Sequence, residues 1–144
     1  MISEYRLKRS VRFYETDAAG IVHFSWYNRY MEEAEHALWR AAGMSIAGRK
    51  EQNVGWPRVS ASFDFKSPLK FEDEFEIWIR ISAMTQKSIR YMCVLTRDDT
   101  HIATGTMVIA CAERTPDGTI RSRAIPDDIA ALFEVASIGK EANV

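Results

Sequence analysis

The sequence predicts an α+β fold in which one antiparallel sheet carries a single long helix on one face. Three observations carry this prediction: one helical stripe early in the chain, a series of period-two runs after it, and short connections between those runs. Over residues 5–14, Tyr5, Leu7, Val11 and Phe13 oppose Arg6, Lys8, Ser10 and Arg12, which is the pattern of a half-exposed first strand.

After the loop at 15–20 the period changes. From Ser25 to about Ala42, Tyr27, Tyr30, Met31, Ala34, Leu38 and Ala41 recur at helical spacing. Ser25 suits an N-cap and Gly43 a C-terminal stop. Trp26, Tyr27, Tyr30 and Trp39 read as packing residues of this helix. Glu32, Glu33 and Glu35 read as its solvated face, paired within the helix to residues such as Arg29. Residues 44–58 form an irregular connection with Gly48, Gly55 and Pro57.

Beyond it the period drops to two. Val59, Ala61, Phe63 and Phe65 alternate with Ser60, Ser62, Asp64 and Lys66, and Phe75, Ile77, Ile79 and Ile81 alternate with Glu76, Trp78, Arg80 and Ser82. Strand-like runs at 88–97 and 101–113 follow, joined by Asp98-Asp99-Thr100, and tight connections of this kind imply antiparallel neighbours. Residues 116–119, PDGT, predict a turn, and Pro126 opens a short terminal helix with two acids in its first turn. Trp78, Met92 and Met107 are apolar residues on otherwise polar strand faces, which suggests that this outer face meets another subunit.

The 144 residues fit one domain spanning 1–144. With 47% hydrophobic and 27% charged residues, the composition is that of a soluble globular chain. Nineteen basic against twenty acidic residues leave a net charge of −1, which argues against bulk attraction to nucleic acid or an anionic membrane. No secretory core is visible in MISEYRLKRS and no apolar run reaches the length of a membrane span, so a cytoplasmic location is expected. Cys93 and Cys111 lie in strand-like runs and are expected to be reduced core thiols. His36 and His101 lack companions for a metal site, and no metal, flavin, nicotinamide or P-loop motif is present.

The informative stretch is YETDAAGIVHFS at 14–25. Gly20 accepts a left-handed turn cheaply, and the helix that follows presents unbonded N–H groups and a partial positive charge at its first turn. A carbonyl placed there is polarised, so Asp17 becomes a candidate nucleophile or general base beside an electrophile-activating element. On spacing alone Asp17 reads first as a turn former or a cap, and His23 as a packed or surface residue.

At this point the chain resembles a known family. VRFYETDAAGIVHFSWYNRYMEEAEHALWRAAG is similar to the signature of hotdog-fold thioesterases of the 4-hydroxybenzoyl-CoA thioesterase family. Weaker likenesses continue at Val54 to Pro57, Val59-Ser60, Pro68 to Asp73, Lys87-Ser88 and Arg121 to Asp127, so that it covers almost the whole chain. The resemblance implies a five-stranded antiparallel sheet wrapped around the long helix. It also implies a homodimer, or a tetramer built of two dimers, with active sites at the subunit interface. It implies an acyl-CoA thioesterase acting on a short-to-medium or aromatic acyl group, with no cofactor, coenzyme A being part of the substrate.

Position by position, Asp17 matches the catalytic carboxylate. Gly20 and Val22 fall in the segment leading into the helix, and the backbone N–H near Phe24 matches the group that polarises the thioester carbonyl. His23 is placed to orient the carboxylate or a water. Ser60 and Ser62 match a strand near the partner's acyl pocket, and Trp56 reads either as loop packing or as pocket lining. Lys87, Ser88 and Arg90, with Arg121 and Arg123, match the region that meets the nucleotide end of coenzyme A, where basic groups suit phosphates. His23-Phe24 departs from the prototype's aromatic pair toward the broader acyl-CoA thioesterase branch, and Glu35 stands where many relatives carry Arg.

Two other readings remain. An enoyl-CoA hydratase on the same fold would use Asp17 and His23, although AAGIV separates them where an Asn-Pro is expected. A non-catalytic module binding acyl-CoA or acyl-carrier protein would keep the fold without turnover.

Overall fold

The computed structural model describes residues 1–48 and 53–137. Five strands, β1 (Glu4–Ser10), β2 (Arg58–Phe65), β3 (Glu74–Met84), β4 (Ser88–Arg97) and β5 (Thr100–Ala110), form one antiparallel sheet in the order β1-β3-β4-β5-β2. The helix α1 (Trp26–Ala41) lies on one face, completing the hotdog arrangement that the resemblance implies. Period-two patterning produces the inner face: Phe75, Ile77, Ile79 and Ile81 of β3 and Ile89, Tyr91, Cys93 and Leu95 of β4 are all buried. The helical stripe Tyr27, Tyr30, Met31, Ala34, Leu38 and Trp39 is buried with them. Each large apolar side chain sequestered this way contributes about 1.5–3 kcal/mol relative to exposure. Gly43, at φ +88°, closes the helix where the sequence places its stop.

Several local expectations fail for identifiable reasons. Phe13 is 73% exposed rather than facing inward with Leu7 and Val11, because the chain leaves β1 after Ser10 and enters a single 3-10 turn, Phe13–Glu15. Met107 is buried on the inner face, opposite Tyr91 and Ala61, while Trp78 and Met92 keep to the outer one. The run expected at 101–113 divides at Cys111. Beyond it β6 (Ala112–Arg114) pairs with β7 (Ile120–Ser122), a strand the sequence did not announce, as a separate ribbon. The terminal helix α2 is one turn, Asp127–Ala130. Residues 49–52 of the irregular connection lie outside the described residues.

The largest correction concerns Glu35, which is fully buried rather than solvated. A β-bulge between Arg58 and Ser60 explains it. The extra residue, Val59, reverses strand parity, so that Arg58 shares the inner face with Ala61, Phe63 and Phe65 and reaches Glu35 at 2.9 Å. Burial pushes the Glu35 carboxyl above its ordinary range, partly offset by Arg58. Tyr91, whose hydroxyl burial raises further still, accepts the Trp39 indole N–H at 2.9 Å.

The edge strand β2 is exposed along nearly its whole length. Its Phe63 ring lies over Gly105, where an added Cβ would stand 2.4 Å from the ring, and Phe63 and Phe65 both pack on Tyr27.

Candidate active site

Residues 15–23 form a tight hairpin between the 3-10 turn and α1. The His23 N–H donates to the Glu15 carbonyl at 2.9 Å, Thr16 bridges Val22, and the Asp17 N–H donates to the Ile21 carbonyl at 3.0 Å. At the tip the Gly20 N–H donates to the Asp17 carbonyl at 2.9 Å, and Gly20 takes φ +81°, the conformation glycine adopts without steric cost. The Ala19 N–H donates to Asp17 Oδ1 at 2.8 Å. Asp17 therefore acts as the turn former that spacing suggests, with one carboxylate oxygen. The other has no protein partner among the described residues, and the side chain stands exposed. One oxygen held and one open is an oriented carboxylate, suited to receive a proton or to attack.

The base of the hairpin is tied to the body of the molecule by buried polar contacts that the sequence did not disclose. Glu15 is fully buried and receives Arg9 through both of its oxygens, at 3.1 and 2.8 Å. The Arg12 N–H and the Tyr30 hydroxyl donate to the same carboxylate at 2.8 and 2.9 Å. Burial, and then the bond to Glu15, raises the Tyr30 hydroxyl far above its usual range, so it remains a donor. The Arg9 guanidinium also lies 4.6 Å from the Tyr30 ring centroid. On the other strand of the hairpin, the buried Val22 donates to the Leu69 carbonyl at 2.8 Å.

Helix entry follows at once. Ser25 occupies the N-cap position, but its side chain bonds His23 Nδ1 at 2.8 Å instead of capping a backbone N–H. His23 braces the entry just ahead of the helix: its Nδ1 accepts the Ser25 N–H at 3.3 Å and its backbone carbonyl accepts the Trp26 N–H at 3.0 Å. The Phe24 N–H has no acceptor among the described residues. It is thus an open donor at the positive end of a sixteen-residue helix. The flanks are aromatic and exposed: Phe13 meets Phe71 edge-on at 5.6 Å, Tyr14 meets Trp26 at 5.5 Å, and Phe24 is 68% exposed with its ring 4.5 Å from that of His23.

The remaining candidates gather elsewhere. The Cys111 N–H donates to the Lys87 carbonyl, the Ile125 N–H to the Gln86 carbonyl, and the Arg123 N–H to the Cys111 carbonyl. These bonds unite the β3–β4 turn with the segment bearing Arg121 and Arg123. Both arginines share one acid, Glu113, at 2.9 and 3.8 Å. The Ser88 hydroxyl is engaged by Thr85 within the turn, and Arg90 projects from the outer face. Ser60 and Ser62 also lie on that face, Ser62 bonded to Thr106 at 2.9 Å. Trp56 packs edge-on against Trp39 at 5.1 Å, which favours its packing role.

A single copy of the chain does not bring the two groups together. β4 begins beside Lys87 and ends at Arg97, which bonds Pro68 and Asp73 on the same loop that receives Val22. Ten strand residues at about 3.3 Å each separate the ends by roughly 30 Å.

The chain matches the family model of the Thioesterase-like superfamily over residues 11–133. A 1,4-dihydroxy-2-naphthoyl-CoA hydrolase from Parasynechococcus marenigrum (strain WH8102) is 31% identical over 149 aligned residues, covering 96% of this chain and 90% of that protein. The solved structure of a gentisyl-coenzyme A thioesterase is similar at 28% identity and TM-score 0.78, covering 88% of this chain and 99% of that one. The 4-hydroxybenzoyl CoA thioesterase from Pseudomonas sp. strain CBS-3 shares the fold, with TM-score 0.80 at 19% identity over 90% of this chain and 99% of that one.

Proposed function

This chain belongs to the thioesterase-like superfamily of thioester hydrolases, and from that premise we propose that it hydrolyses an aromatic acyl-CoA with Asp17 as the reacting carboxylate. The observation that carries the proposal is the pairing, across one short hairpin, of a half-pinned carboxylate with the open Phe24 N–H at the start of α1. The relatives named for dihydroxynaphthoyl-CoA and gentisyl-CoA support an aromatic acyl group, as do the exposed rings flanking the hairpin.

In the general-base route Asp17 takes a proton from water, and the resulting hydroxide adds to the thioester carbon. The Phe24 N–H and the helix terminus stabilise the tetrahedral oxyanion. Collapse breaks the carbon–sulfur bond, and the departing thiolate takes the proton from Asp17, leaving acid and free coenzyme A. In the nucleophilic route Asp17 itself adds to the carbon, expels the thiolate, and is released when water hydrolyses the mixed anhydride. A single turnover in oxygen-18 water detects a nucleophilic route in which water opens the anhydride at the Asp17 carboxyl carbon. The general-base product carries the label at once, whereas attack of water on the Asp17 side of the anhydride delivers unlabelled enzyme oxygen first.

Coenzyme A is substrate here, its phosphates meeting Lys87, Arg90, Arg121 and Arg123. Because these lie at the far end of the sheet, the reading includes a homodimer. Two copies paired antiparallel along the exposed β2 edge would set the Phe65 end of one strand beside the Arg58 end of the other. Asp17 of one copy would then share an end of the joint sheet with the basic cluster of its partner, and Ser60 and Ser62 would approach the partner's acyl pocket. Further pairing through the outer face would give the tetramer.

The test is thiol release from benzoyl-, 4-hydroxybenzoyl- and dihydroxynaphthoyl-CoA, with straight-chain acyl-CoAs for comparison, alongside hydration of crotonyl-CoA. Hydrolysis of the aromatic thioesters, lost in Asp17→Asn, is expected. Hydration without thiol release would replace the reading with the hydratase, and tight binding without either reaction would replace it with the binding module.

A further inference from the structure

We propose that Glu15 is a positioning residue for hydrolysis, holding the Asp17 hairpin in register with the first turn of α1; the inference rests on the thioesterase reading above. Glu15 itself stands off the reacting atoms, since its carboxylate is fully buried and every bond it makes is internal. Removing a carboxylate from water is costly, and well-packed apolar residues often replace buried ion pairs without loss of stability. What such a pair adds is geometry, and here the geometry converges on the site.

The donors to Glu15 come from three places: Arg9 on β1, the Arg12 N–H at the entrance to the 3-10 turn, and Tyr30 one turn inside α1. Its backbone carbonyl meanwhile receives His23, the residue whose ring and carbonyl organise helix entry. Glu15 is therefore both the first residue of the hairpin ladder and the joint through which that ladder is fixed to the helix. Asp17 lies two residues along one arm, and Phe24 follows directly on the other. Any shift of residue 15 moves the carboxylate relative to the Phe24 N–H. Displacements near 1 Å cost a well-oriented reaction up to about 100-fold in rate.

Glu15→Gln keeps the shape but sets an amide N–H against donors from Arg9, Arg12 and Tyr30. Measured with 4-hydroxybenzoyl-CoA below the melting temperature, it is expected to lower kcat by about 10- to 100-fold while KM stays within about threefold. Tyr30→Phe removes one donor and leaves the bidentate Arg9 pair, so a smaller fall in kcat is expected with the fold intact. Should Glu15→Gln fold poorly, the triple variant Arg9→Met/Glu15→Met/Tyr30→Phe removes the buried charges together with the buried hydroxyl that would lose its acceptor. Stability is expected to return while kcat stays low. In an Asp17→Asn background, Glu15→Gln is expected to cost nothing further, because it acts through Asp17. Hydrogen exchange supplies a readout apart from activity: the Asp17, Gly20 and His23 amides should exchange faster in Glu15→Gln, with the β3–β4 core amides unchanged.

Wild-type kcat in Glu15→Gln overturns the proposal. So does recovery of kcat in the apolar triple variant, uniform loosening of all amides, or a full additional loss on top of Asp17→Asn. If the wild-type protein hydrolyses no thioester while the hairpin amides still respond to Glu15→Gln, the enzymatic reading falls and the anchoring role survives. If hydrolysis is intact in both proteins, Glu15 falls and the enzymatic reading stands.

Discussion

The two ends of the sheet hold their polar groups in opposite ways. At the Asp17 end the charges that organise the chain are buried and fully bonded: Glu15 has Arg9, Arg12 and Tyr30, and the open groups, one Asp17 oxygen and the Phe24 N–H, sit on a backbone with little freedom. At the far end Lys87, Arg90 and Arg121 are exposed, and two arginines divide a single acid. Buried, satisfied networks specify geometry, whereas exposed ion pairs contribute little stability and rearrange easily. Under the proposed reading, bond-breaking falls at the buried, fully bonded end and the charged part of the substrate at the exposed one.

Asp17→Asn breaks the comparison at its most sensitive point. A loss of kcat of about 100-fold or more is expected, with circular dichroism unchanged and KM little altered. The separation of the ends is tested by mixing. Asp17→Asn and a Lys87→Ala/Arg123→Ala variant, each weak alone, are refolded together. If sites combine the hairpin of one copy with the basic end of the other, about a quarter of the sites are intact in the random mixture, and activity rises accordingly. No recovery would confine each site to one copy. Within the basic end, Lys87→Ala and Arg123→Ala are each expected to raise KM by about tenfold at constant kcat. The difference should shrink with a substrate lacking the ribose phosphate and at high salt. The effect least tied to activity belongs to neither end. Gly105→Ala forces Phe63 from its place on β2 and is expected to cost about 1–3 kcal/mol, read from the denaturation midpoint, with dimerisation weakened alongside if β2 is the shared edge.

Much of the fold was legible in sequence. The 88–97 run coincides with β4, and β2, β3 and α1 lie within two residues of their expected limits or nearly so, because each is long and strongly periodic. Where periodicity changes within a few residues, legibility failed. The 3-10 turn after β1 exposed Phe13, and the bulge at Val59 brought Arg58 inward to a Glu35 that looked solvated. In the candidate site, the loop into the helix with Asp17, Gly20, Val22, His23 and Phe24 was visible as one segment, while its closure as a hairpin was not. Glu15, Arg9 and Tyr30 were not read as partners. The only hint was an acid immediately ahead of the Asp17 loop, and nothing in linear spacing joins residue 15 to residue 30.

By itself the sequence determined what local physics controls: the helical stripe, the alternating strands, the glycine turn beside Asp17, and the helix start behind it. Tertiary structure alone decided which charges are buried, that the Ser25 side chain bonds His23 instead of capping the helix, and that the basic cluster lies a strand's length from Asp17. Burial and distance are properties of packed elements, and a residue's neighbours along the chain do not encode them.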